Sequence, residues 1–164
     1  MEKKGELKKG DSGMVNLNIA ICDTCKEQLE DTATTCKTVC RHNWVSAEVT
    51  NFSDGQSLLS KLKDDGFCSM LDILVIDPTD GCEETVPAVR ELGYKGIIIY
   101  FSRSDDIKFL QQAFPAGAYN FAKKNETDRF QTVLRNALKT ASRTRHPKDG
   151  FYCSWDIYTD QLAN

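Results

Sequence analysis

An α/β fold follows from the sequence: a three-layer α-β-α sandwich in which a five-stranded parallel sheet is doubly wound as (βα)5. Three observations predict it. Short apolar runs such as Ile73-Leu74-Val75-Ile76, within LDILVID, are continuous rather than alternating, as strands buried on both faces require. Between them lie stretches with apolar residues at helical spacing. Each run ends on a polar residue, so chemistry-bearing groups gather at the C-terminal ends of the strands, where open parallel sheets bind ligands.

Residues 1–15 form a polar arm rich in Lys, Glu and Gly, without periodicity and expected to add little to the fold. Leu17 to Cys22 is the first strand and ends at Asp23. Cys25, Leu29, Ala33, Cys36 and Cys40 then mark one face of a helix running to about Arg41. Val45 to Phe52 reads as the second strand. Ser53 with Gln56 has the form of a capping box opening a helix through Leu58, Leu59 and Leu62, which Gly66 closes. The third strand, Leu71 to Asp77, meets Pro78 and a tight Pro-Thr-Asp-Gly turn. Pro87 is tolerated only in the first turn of the next helix, so its regular part is placed at Val86 to Leu92. Gly96 to Phe101 is the fourth strand, ending on Ser102. Ser104, followed by Asp105 and Asp106, caps a helix that Pro115 stops. Ala118 to Ala122 is the fifth strand and ends on Lys123 and Lys124. Phe130, Val133, Leu134, Ala137, Leu138 and Ala141 describe the buried face of a last helix, about Glu126 to Ser142.

With 164 residues, 40% hydrophobic and 27% charged, the chain fits one domain with tails, placed at 16–142. Its net charge of -3 gives no bias toward nucleic acid or anionic membrane. No apolar segment approaches the ~18 residues of a membrane span, and the opening MEKKGELKKGDSG is not followed by a signal-type apolar core. A cytoplasmic protein is expected. Residues 143–164 begin with a basic patch (Arg143, Arg145, His146, Lys148) and continue into the aromatic DGFYCSWDIY; they read as a linker or as the start of a truncated output domain. Such a short tail cannot read bases, so no specific DNA binding by this chain alone is expected.

Seven cysteines, an odd count without repeating spacing, argue against a disulfide framework. Cys22, Cys25, Cys36 and Cys40 together resemble four zinc ligands. Cys25 and Cys36 would, however, lie roughly 16 Å apart along a helix, too far to share one ion. Buried thiols are the simpler reading. The alternative is a thiol-redox sensing module using Cys22 and Cys25, where a helix N-terminus would lower a thiol's pKa.

The groups at the strand ends are Asp23, Asp77, Ser102 and Lys124. A carboxylate that accepts a phosphoryl group needs a cation to offset charge, a hydroxyl for one phosphoryl oxygen and an ammonium for another. All of those types are present. A catalytic enzyme is not expected, because neither His42 nor His146 lies at a strand end beside a nucleophile.

The segments LNIAICDTCKEQLE, LDILVID, GIIIYFSRSDD and PAGAYNFAKKNE resemble, in order and spacing, the landmarks of CheY-like response-regulator receiver domains, in particular those that precede LytTR-type DNA-binding domains in bacteria. The resemblance covers about Asn16 to Ala141. It implies a flavodoxin/CheY-like fold and transcription regulation through a two-component system. Asp77 would be the phosphoacceptor served by a sensor histidine kinase, Ser102 the conserved hydroxyl and Lys124 the conserved lysine, with Lys123 an off-by-one alternative. Ser102 and Phe121 would be the switch pair, and the surface of the fourth strand, fourth helix and fifth strand would form a homodimer. Magnesium would be held by Asp23, Asp77 and Thr79. The sequence departs from the family at that metal site. Thr24 stands where a second acid is usual, Pro78 removes a backbone donor after Asp77, the following loop is about three residues short, and Arg103 replaces a small residue after Ser102. The missing acid, the proline and the short loop point to weak or absent magnesium binding and to a degenerate pseudo-receiver that works without phosphorylation, or to a very weakly phosphorylated receiver, while Arg103 would either replace the lost cation or occlude the pocket.

Overall fold

The continuous apolar runs form strands whose side chains are buried on both faces. The computed structural model describes residues 15–79, 84–103 and 118–145. Strands β1 (Val15–Cys22), β2 (Val45–Phe52), β3 (Ile73–Ile76), β4 (Ile97–Ser102) and β5 (Asn120–Lys123) make one parallel sheet in the order β2-β1-β3-β4-β5. Strand order therefore reverses between β1 and β3. Their C-terminal ends, carrying Asp23 and Asp77, flank the crevice that such a reversal opens.

Five helices are described: α1 (Lys26–His42), α2 (Gly55–Leu62), α3 (Asp65–Met70), α4 (Thr85–Glu91) and α5 (Thr127–Arg145). The sheet separates two apolar clusters. One contains Ile73, Val75, Ile99, Phe101 and Ala122 packed with residues of α1 and α5. The other contains Leu74, Ile76, Ile98 and Tyr100 packed with Leu58, Leu62, Val86 and Val89 of α2 and α4. This is the doubly wound three-layer arrangement, and strand alternation decides which layer each residue enters. Phe101 of β4 stacks on Phe130 of α5, ring centroids 4.0 Å apart. Cys36 and Cys40 are part of the buried face of α1. Among the described residues, no helix is long and apolar enough to cross a membrane.

Several boundaries differ from the sequence expectations. Val15 and Asn16 belong to β1 because they pair with Val45 and Ser46 of β2. Asp54, not Ser53, caps α2: its carboxylate accepts the Ser57 N–H at 2.7 Å. Gly66 does not end that unit but lies in a further short helix, α3, whose cap is Asp64. At both N-caps the carboxylate meets the positive end of the helix dipole, which at α2 favours Asp54 over the adjacent Ser53 hydroxyl. The helix expected after Ser104 and the turn at Asp80 and Gly81 lie outside the described residues, as do 1–14 of the N-terminal arm and 146–164 of the tail.

Candidate functional site

Backbone pairing carries each candidate one step past the end of its strand. The Asp23 N–H donates to Phe52 O at 3.0 Å, the Asp77 N–H to Cys22 O at 3.0 Å, and the Lys124 N–H to Ser102 O at 2.8 Å. Strand periodicity then sorts the side chains. Asp23 follows Ile19 and Ile21, Asp77 follows Ile73 and Val75, and Lys124 follows Ala122, all on the α1/α5 side. Only one of two adjacent lysines can face that side, and it is Lys124. Lys123 takes the opposite parity.

The three side chains meet and are buried. The Lys124 ammonium donates to Asp77 Oδ2 at 2.9 Å and to Asp23 Oδ2, and its side chain is only 3% exposed. The other oxygens are engaged too. Asp23 Oδ1 accepts the Cys25 N–H at 2.9 Å. Asp77 Oδ1 accepts the Thr79 N–H at 3.0 Å and the Thr79 hydroxyl at 2.6 Å. Burial pushes the Asp77 carboxyl up, but the hydrogen bonds from Thr79 and Lys124 and the ammonium charge outweigh it, holding its pKa below the usual carboxylate value. Asp77 is therefore an anion at neutral pH.

Thr79, expected beside a metal, acts here as a double donor to Asp77. Pro78 has no N–H, so the nearest backbone donor after Asp77 is that of Thr79, which reaches the carboxylate. Thr24 is exposed and Arg103 is exposed at the rim. The cation in the pocket is thus Lys124.

Receiver-type sites imply magnesium, which demands near-octahedral oxygen ligands and dehydrates reluctantly. The described residues do not fit it well. Two carboxylates and one ammonium leave a single net negative charge, and all four carboxylate oxygens already accept hydrogen bonds. Binding the ion would require breaking the Lys124 contacts or the Thr79 contacts first.

Ser102 is buried at the end of β4, and its carbonyl anchors the backbone of Lys124. By strand alternation it shares the sheet face of Tyr100, the α2/α4 side, not that of Asp77. Phe121 is half-buried against the same side. Sequence reasoning missed its holder, Arg129 of α5. The guanidinium lies 5.3 Å from the Phe121 ring centroid and donates to Phe121 O at 3.2 Å and to Asn120 Oδ1 at 3.3 Å. An arginine in the first turn of an amphipathic helix carries no sequence signal for that role. Cys22 is fully buried within the α2/α4 cluster, whereas Cys25 is half-buried at the start of α1. Burial pushes the Cys40 thiol up to about 12 and raises that of Cys36 further, so both stay protonated.

No family model matches the sequence, and no curated protein is similar enough to match. Solved structures do match. The Vibrio cholerae chemotaxis protein CheY4 is similar over 75% of this chain and 99% of its own, with a TM-score of 0.60 and 17% identity. A response regulator receiver domain protein from Clostridium thermocellum covers 76% of this chain and 95% of its own, with a TM-score of 0.58 and 14% identity. The signal receiver domain of a modulated diguanylate cyclase from Desulfovibrio desulfuricans G20 is similar to the same degree, with a TM-score of 0.58 and 14% identity over 76% of this chain and 94% of its own. The chain thus has the CheY-like receiver fold, five parallel strands in the order 2-1-3-4-5 with helices on both faces.

Proposed function

We propose that this chain is a pseudo-receiver: a signalling module with the receiver fold that acts through protein contacts in transcription regulation and not through magnesium-assisted phosphoryl transfer. The observation that carries this reading is the buried Lys124 ammonium bridging Asp23 and Asp77, with every carboxylate oxygen occupied. In a phosphoryl-accepting receiver a metal ion would neutralise the incoming group. Here, among the described residues, the Lys124 ammonium already offsets one of the two carboxylate charges of the resting site. The partners are proteins, including a second copy of the chain, and the LytTR-like resemblance of the sequence supports a place beside a DNA-binding output domain.

A second reading keeps Asp77 as a phosphoacceptor served by a sensor histidine kinase. The depressed pKa of Asp77 favours it, since an ionised carboxylate is the nucleophile. Ser102 and Lys124 stand at the same sheet edge. The thiol-redox alternative is weaker, because Cys22 lies wholly within the core.

Magnesium separates the first two. Anything that binds the folded state alone raises its apparent stability. Thermal unfolding of the pseudo-receiver is expected to be unchanged between metal-free buffer and millimolar magnesium. A magnesium-dependent rise in Tm, lost in Asp77→Asn, would favour the phosphoacceptor.

A further inference from the structure

The edge of the sheet opposite Asp77 carries a groove of about 590 Å³ lined by Leu71, Arg90, Lys95, Ile97 and Tyr119 together with Ala141 and its neighbours on α5. These residues stand where the chain enters β3, β4 and β5. Because α5 runs antiparallel to the strands, its last turns reach the same edge, and Thr140 and Thr144 form one wall. The Arg90 guanidinium shapes the floor by donating to Tyr94 O at 3.0 Å and Gly96 O at 2.9 Å. Lys95 is exposed at the rim. Of the exposed large hydrophobic residues among those described, Tyr119 lines the groove and Met70 sits between two lining residues, Ser69 and Leu71.

We propose that this groove is the docking site for the chain's own segment 150–158, GFYCSWDIY. Three observations support that occupant over others. The first is position: the chain leaves α5 at Arg145, one residue past a groove-lining threonine, and Phe151 follows after a span of at most about 20 Å. The second is composition: Phe151, Tyr152, Trp155 and Tyr158 place four aromatic residues in a row of eight, amphipathic side chains suited to a mixed groove in which Leu71, Ile97, Ala141 and the exposed Tyr119 stand among polar groups. The third is charge: residues 149–164 contain Asp149, Asp156 and Asp160 but no lysine or arginine, whereas the groove carries Arg90 and Lys95 against one acid, Asp72, and so keeps an excess of positive charge. Docking covers the edge remote from Asp77 and leaves the Asp77 crevice open. The inference does not depend on whether Asp77 is phosphorylated.

Trp155 reports on the contact, because Trp44 is the other tryptophan in the chain and is exposed. In the 164-residue chain carrying Trp44→Phe, Trp155 emission is expected to be blue-shifted and shielded from acrylamide. Lys95→Glu, a charge reversal at an exposed position that leaves the core intact, shifts the emission red and opens it to the quencher. Tyr119→Ser does the same, with far-UV circular dichroism confirming the fold. Emission typical of a solvated indole in the starting protein would overturn the proposal, as would a blue shift that survives both substitutions. A blue shift that disappears on dilution would overturn it in favour of a second copy as the occupant.

Discussion

Lys124 decides the character of the site. A buried ammonium between two carboxylates returns more than it costs only while all three charges are present, and removing one partner of such a set costs about 3–5 kcal/mol. Lys124→Met is expected to destabilise the protein by about that amount in urea or guanidinium unfolding. The pH dependence follows from Asp77. Its folded pKa lies below the unfolded value, so its contribution is present at pH above the ordinary carboxylate range, near about 3.9, and is lost as pH falls through the folded pKa. Asp77→Asn removes that contribution. Acid titration of stability is expected to be flatter in the variant than in the parent, with the difference confined to pH below about 4. At this scale the residues that meet, Asp23, Asp77 and Lys124, were legible as polar ends on apolar runs, whereas Ser102 stands out in the sequence in the same way but takes the other face of the sheet. Strand alternation also settles Lys124 against Lys123, once the register of β5 is known. Arg129 was not legible, because its role depends on where α5 passes β5, which no local pattern encodes.

At the scale of elements, α2 meets α4 where Gly55 approaches Thr85 so closely that a Cβ at 55 would overlap Thr85 Oγ1. That contact is between two helix starts, and Thr85 is buried, so the hydroxyl has little room to yield. Gly55→Ala is expected to cost about 1–3 kcal/mol, in the range of overpacking, and Thr85→Ala should recover most of it. Additive losses in a double-mutant cycle would show that the two positions do not touch in solution. The strands and long helices were readable in the sequence because their apolar spacing is long enough to have a period. The α2 cap and the separate α3 were misread for a physical reason. Ser53 and Asp54 are adjacent cap-competent residues, and Gly66 is tolerated in the first turn of a helix capped by Asp64.

For the whole molecule, the sheet divides the core into two layers, and α5 closes the α1 layer through Phe130. Its ring is fully buried and stacked on Phe101. Phe130→Ala is expected to cost about 3–5 kcal/mol and to lower the single unfolding midpoint, since the cavity lies at the junction of β4, β5 and α5. The layered fold and its parallel sheet follow from runs of Ile, Leu and Val that any reader of the sequence can find. Strand order, and with it the crevice between β1 and β3, is a property of long-range pairing that no local pattern encodes; it was legible only through the resemblance to CheY-like receivers. With Lys124 bridging both carboxylates and offsetting one of their charges, this crevice is expected not to accept a phosphoryl group. Intact-mass spectrometry after incubation with acetyl phosphate and magnesium tests it most directly, with Asp77→Asn as the control. No added mass is expected in either protein at any magnesium concentration. A magnesium-dependent gain of one phosphoryl group in the parent, absent in Asp77→Asn, would contradict it and make Asp77 a working phosphoacceptor.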